Sequence, residues 1–76
     1  MPSLPMVNGR EAIRALGRAG FVLDEIEGSH HIMIHPATGR RVSVPLHGGR
    51  DLKPGTLRGL IRDAGLTMEE FIQLLK

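Results

Sequence analysis

Apolar residues near the start of the chain recur with a helical period. Ala12, Ile13, Ala15, Leu16 and Ala19 share one face at 100° per residue, and Arg10, Arg14 and Arg18 line the opposite one. Asn8 with Glu11 three residues later forms a capping box, and Gly20 supplies a stop, so the pattern predicts a helix from about residue 9 to 19. The period then shortens to two. Residues 21–26, 29–35 and 41–46 read as strands, with Val42, Val44 and Leu46 alternating in the third; turns at Glu27-Gly28 and Pro36-Ala37-Thr38-Gly39 separate them. A loop from His47 to Lys53 follows. Pro54 suits the first position of a second helix ending at Gly65, which turns Leu57, Leu60, Ile61 and Ala64 inward and Arg58 and Arg62 outward. Thr67 with Glu70 is a second capping box, opening a short last helix that buries Phe71, Leu74 and Leu75.

The order α-β-β-β-α-α, with no internal repeat, predicts one α+β domain over residues 1–76, of which residues 1–6, with two prolines, form a flexible arm. The simplest packing is a three-stranded antiparallel sheet with the helices on one face. Alternation places His30, Ile32 and Ile34 on one side of the second strand and His31, Met33 and His35 on the other. Pairing Ile34 with Val42 and Ile32 with Val44 makes the apolar rows coincide. That register sets His30 opposite Leu46, half-buried at the rim of the sheet.

Composition narrows the function. At 41% hydrophobic and 24% charged residues the chain is a folded domain rather than a disordered one. No apolar run approaches the roughly 20 residues of a membrane span, and no charged segment leads into an apolar signal core, so a cytoplasmic protein without membrane contact is expected. The absence of cysteine rules out disulfides and thiolate catalysis. A net charge of +2, with eight of ten cations arginine, favours a polyanionic partner. Phe21 and Phe71, the two aromatics, both suit a core. Without exposed rings to stack bases, any nucleic-acid contact goes to backbone and shape.

The chemistry available is that of histidine. His30 follows Gly28-Ser29 at the start of a strand, where an imidazole can exchange a proton near neutral pH. His47, just past Leu46, is the candidate second group, and Ser29 is positioned to orient His30 or bind phosphate. His31 and His35 read as surface strand residues. On a strand those two stand about 13 Å apart, too far to share a zinc ion, and His30 with His47 alone would make a poor site. Neither a metal nor a small-molecule cofactor is expected. Gly48-Gly49 lacks the Gly-Lys-Ser/Thr of a P-loop, whereas Lys53-Pro54-Gly55-Thr56 opens a helix whose amides are able to hold a phosphate.

Five fragments carry a wider pattern: Gly28-Ser29-His30-His31; His35-Pro36; Val44-Pro45 followed by His47; Leu52-Lys53-Pro54-Gly55-Thr56-Leu57; and Ala64-Gly65-Leu66-Thr67. In this order and spacing, from about Gly9 to Leu75, the chain resembles the HicA family of bacterial and archaeal toxins, with departures at Glu27, Met33 and Ile34. The resemblance implies a double-stranded-RNA-binding-domain-like α-β-β-β-α fold with a short extra C-terminal helix. It also implies the toxin of a type II toxin–antitoxin system: a metal-independent endoribonuclease that cleaves mRNA and is silenced by a HicB-like antitoxin. The essential histidine of the family, the one directly after Gly-Ser, carries over to His30. Lys53, Arg50, Arg58, Arg10 and Arg14 are then the candidate RNA-binding residues, with His47 and Ser29 as helpers to His30. The alternative is a non-catalytic RNA-binding module of the same fold in which His30 is structural; a third reading is an interaction protein whose basic helix faces serve a partner.

Overall fold

The structure is a computed structural model describing residues 4–76. Two of its helices begin with the capping boxes expected. In α1 (Gly9–Arg18) the Asn8 side chain accepts from the Glu11 amide and the Glu11 carboxylate accepts from the Asn8 amide. Thr67 and Glu70 repeat the exchange at α3 (Met68–Leu75). Between them α2 (Pro54–Asp63) starts on its proline, with no side-chain cap. The far ends of two helices are satisfied by arginine. Arg18 donates to the carbonyl oxygens of Leu74 and Lys76 at 2.6 and 2.9 Å, and Arg40 donates to that of Asp63 at 3.3 Å. A cation at a helix C-terminus also opposes the negative end of the macrodipole. Arg18, expected in a solvated stripe with Arg10 and Arg14, therefore ties α1 to α3.

Strands β1 (Val22–Glu27), β2 (His30–Ile34) and β3 (Arg41–Pro45) form an antiparallel sheet in the order β1-β2-β3. Helices α1 and α2 pack against β3, and α3 packs on α1, so the molecule has the α+β layout expected, with helix, three-stranded sheet and two further helices. Leu16, Val42, Val44, Leu57 and Phe71 are fully buried where these elements meet. Of the expected N-terminal arm, residues 1–3 lie outside the described residues; Leu4 packs against the core while Met6 is exposed.

The register differs from expectation by one residue. Met33 pairs with Val42, His31 with Val44 and His30 with Pro45. Both connections dictate this. His35 donates its amide to the Arg40 carbonyl at 2.9 Å, closing a loop of Pro36-Ala37-Thr38-Gly39 in which Gly39 takes φ +77°. At the other end, Glu27 pairs with His30, so the turn is Gly28-Ser29 rather than Glu27-Gly28. Gly28 alone of the two has positive φ, +59°, which is the type II′ pattern with glycine first. Slipping one residue exchanges the faces of a strand. Met33 consequently joins the core at 3% exposure, and His30, Ile32 and Ile34 lie on the face away from the helices.

Ile32 is nonetheless only 9% exposed. Arg41 on β3 reaches across the middle strand to Asp24 at 2.9 Å and Glu25 at 3.2 Å on β1, laying its side chain over the row that Ile32 and Ile34 form. The hydrogen bonds to Glu25, and then to Asp24, raise the already high pKa of Arg41. Asp24 is the extra residue of a bulge, because pairing passes from Leu23↔Met33 to Glu25↔Ile32.

Gly9 seats α1 on the sheet. A Cβ there would lie 2.6 Å from the Pro45 carbonyl oxygen and 3.1 Å from Leu46 Cγ, so the helix start and the end of β3 touch backbone to backbone. Alanine is the better helix former by about 1 kcal/mol. Gly9→Ala is still expected to lower the urea midpoint, with an overpacking cost of about 1–3 kcal/mol outweighing the propensity gain; a raised midpoint would contradict this packing.

Candidate active site

His30 is the first residue of β2, delivered by the Gly28-Ser29 turn to the open face of the sheet, where its ring is exposed. The expected position, half-buried opposite Leu46, is corrected by the register: its neighbour on β3 is Pro45. Amide bonds from Leu46 to the Ser29 carbonyl (2.6 Å) and from His35 to the Arg40 carbonyl (2.9 Å) place the hydrogen-bonded pairs at odd positions of β2. His30 and Pro45 are thus a non-hydrogen-bonded pair, where proline's missing amide costs nothing to the ladder and side chains approach most closely.

One side chain holds the imidazole. Nδ1 lies 3.2 Å from Ser43 Oγ, the residue two before Pro45 on β3 and hence the diagonal cross-strand neighbour. Among the described residues Nε2 has no hydrogen-bond partner, and Glu27, which pairs with His30 from the β1 side, makes no ion pair with it. The Ser29 hydroxyl, expected as a helper, makes no bond to the ring. Ser43 was missed in the sequence because only the correct register reveals it. The available signal was a lone polar residue between the buried Val42 and Val44.

The other strand histidines were expected at the surface and are not there. His31 turns toward the helix side, is partly buried, and its buried Nδ1 has no partner. His35 stands edge-on to Phe21, with centroids 5.1 Å apart at 86°, and its Nδ1 accepts from the Ala37 amide at 3.2 Å. A Cβ on Gly20, itself at φ +102°, would meet His35 Nε2 at 2.7 Å, so this ring belongs to the packing of the turn.

His47 is exposed and lines a cavity of about 250 Å³ together with Pro45, Arg50, Asp51, Lys53 and Thr56. Pro45 is common to this cavity and to the His30 pair, so the two features adjoin. The loop is tethered, since the Leu52 amide donates to the Val7 carbonyl at 2.7 Å and Asp51 bridges to Asn8. The uncapped start of α2 opens at the same place, where the first amides of a helix have no intrahelical acceptor. On the loop's other flank Arg10 joins Asn8, Leu46, Gly48 and Gly49 around a second cleft. Arg14 and Arg58 are exposed on α1 and α2, outside both hollows.

Cations divide by occupation. Arg18, Arg40 and Arg41 are held by carbonyls or carboxylates of the fold. Among the described residues, Arg10, Arg14, Arg50, Arg58 and Lys53 have no such partner, leaving them free for something outside the chain.

By itself, a small α+β domain with an exposed histidine beside a cationic hollow fixes no class of protein. The match to known families supplies that class directly: a family model described as the HicA toxin of bacterial toxin–antitoxin systems covers residues 9–66, from the start of α1 past the end of α2, with His30 and the whole cavity inside it. The chain belongs to the HicA toxin family. Membership implies an antitoxin partner. No curated protein matches the chain. Among the described residues, no helix is long and apolar enough to cross a membrane.

The unsatisfied His31 Nδ1 makes its own prediction. A buried polar atom without a partner costs about 1–3 kcal/mol, so His31→Leu should stabilise the fold by about 1 kcal/mol, raising the Tm by about 4–8 °C in a domain of this size. An unchanged or lower Tm would mean that the ring is satisfied or needed for packing.

Proposed function

We propose that this toxin is a metal-independent endoribonuclease that cleaves mRNA with His30 as its base. The observation that carries the reading is the pairing of an exposed imidazole, whose Nε2 is unengaged, with an adjoining cavity lined by Arg50, Lys53 and His47. In the free enzyme Nε2 is open to accept a proton. With RNA bound, Nε2 removes the proton of a ribose 2′-OH, and the 2′-oxygen attacks the adjacent phosphorus. The P–O5′ bond breaks, and the departing 5′-oxygen takes its proton from protonated His47 or from water. The products are a 2′,3′-cyclic phosphate and a 5′-hydroxyl. DNA, having no 2′-OH, is not cut. Each acid–base group of this kind contributes about 10²–10⁴-fold.

Lys53 and Arg50 supply the charge that holds the phosphate backbone beside His30 and offsets the negative charge growing on phosphorus. Arg10, at the cleft across the loop, with Arg14 and Arg58 beyond, extends the cationic track on which the strand lies. The shortage of exposed aromatic rings fits recognition through backbone rather than stacked bases. A HicB-like antitoxin is the partner that silences the enzyme.

The decisive experiment is incubation of purified protein with RNA in the presence of excess chelator. Chelator-resistant cleavage is expected, with His30→Ala losing at least about 10²-fold while its circular dichroism is unchanged. Undiminished cleavage by that variant would end the proposal. Tight binding without cleavage by the wild type would instead favour the non-catalytic RNA-binding module. Separately, Lys53→Ala and Arg50→Ala should each weaken RNA binding and reduce the slope of log affinity against log salt by about 1. An unaltered slope would remove that residue from the phosphate contacts.

A further inference from the structure

We propose that Ser43 is the positioning residue of the His30 imidazole: its hydroxyl oxygen accepts from Nδ1–H and so holds the ring in the tautomer that leaves the Nε2 lone pair exposed. This rests on the reading of His30 as base and extends it to a residue outside the turn that delivers the histidine.

The 3.2 Å contact between Nδ1 and Ser43 Oγ is open to either direction, and the base chemistry proposed for His30 selects one. A serine hydroxyl is able to donate or accept, and the proton on one ring nitrogen is set by the hydrogen bond the other makes. If Ser43 donated, Nδ1 would be the acceptor and Nε2 would carry the proton, leaving the exposed nitrogen unable to take another. If Ser43 accepts, Nε2 is free. The accepting arrangement also survives the reaction unchanged, because imidazolium keeps its Nδ1–H while Nε2 gains and loses a proton. The donating arrangement would have to invert at each turnover.

The support for this contact is rigid. Ser43 sits between Val42 and Val44, which are 1% and 0% exposed, so its place on β3 is fixed by the core beneath while its hydroxyl stands on the open face. The two competitors for the ring are disengaged: Glu27 on β1 makes no ion pair with it, and Ser29 makes no hydrogen bond to it. An uncharged hydroxyl also orients the imidazole without fixing a counter-charge beside it, as a carboxylate partner would.

The test is the tautomer itself. Long-range ¹H–¹⁵N correlation spectra of labelled protein, recorded above the titration of the histidines, report which nitrogen of each ring bears the proton; the His30 signals are assigned by their loss in His30→Ala. The wild type is expected to show protonated Nδ1 and bare Nε2 for His30. Ser43→Ala should shift the population toward the Nε2–H form that imidazole favours in water, and Ser43→Thr, which restores a hydroxyl, should return it. In cleavage assays Ser43→Ala should lower kcat about five- to ten-fold with KM little changed, and Ser43→Thr should recover most of it. A wild-type ring protonated on Nε2, a tautomer unaffected by Ser43→Ala, or a shifted tautomer with unchanged kcat would each overturn the proposal. Loss of the ribonuclease reading is distinguished by the wild type: no RNA cleavage defeats that reading, while the spectra still decide whether Ser43 sets the ring.

Discussion

The alignment of β2 against β3 is the constraint from which the rest of the molecule follows. Strand β2 reads His-His-Ile-Met-Ile and is apolar on both sides, so its own pattern does not say which side meets the helices. The turns at either end decide. Gly28 at positive φ closes a two-residue hairpin with β1, and the Pro36–Gly39 loop closes on the His35–Arg40 pair. With those ends set, Met33 packs with Val42 and Val44 under the helices, and His30 faces outward beside Ser43 and Pro45. The opposite choice would have set the imidazole against the core and Met33 in water.

Putting Ile32 and Ile34 on the open face carries a cost, and Arg41 offsets it. By crossing to Asp24 and Glu25 it covers the aliphatic row and neutralises two of the three carboxylates on β1. Exposed ion pairs of this sort contribute little to stability. Their value here is electrostatic and local, because Glu27 is left as the one carboxylate of that strand without a cation among the described residues, and it lies next to His30. Arginine thus serves two purposes in this chain. Arg18, Arg40 and Arg41 finish helices and cover the sheet, while Arg10 and Arg50 line the hollows beside the loop that joins β3 to α2.

That loop gains its shape from distant parts of the chain. Val7 and Asn8, just before α1, bond to Leu52 and bridge to Asp51, and Gly9 lets α1 press on Pro45. The cationic cavity and the histidine beside it therefore rest on the junction of the N-terminal helix with the end of β3, not on a free loop.

Local signals were enough for most of the fold. Both capping boxes, the proline opening α2, the glycine ending α1 and the order of elements were legible, because each depends on residues within one turn of one another. The Gly-Ser-His triplet also marked His30, and the cations later found unpartnered were recognisable as outward-facing or loop residues. Contacts between strands were not legible. The contact of Ser43 with His30, the burial of His31, the packing of His35 on Phe21 and the capture of Arg18 by α3 all join residues far apart in sequence. A register one residue away satisfies the same alternation of apolar and polar positions, so sequence periodicity alone could name the elements but not which of their faces meets the helices. Only the closed geometry of the turns and the packing of the sheet against α1 and α2 decided which face carries His30 and what lies beside it.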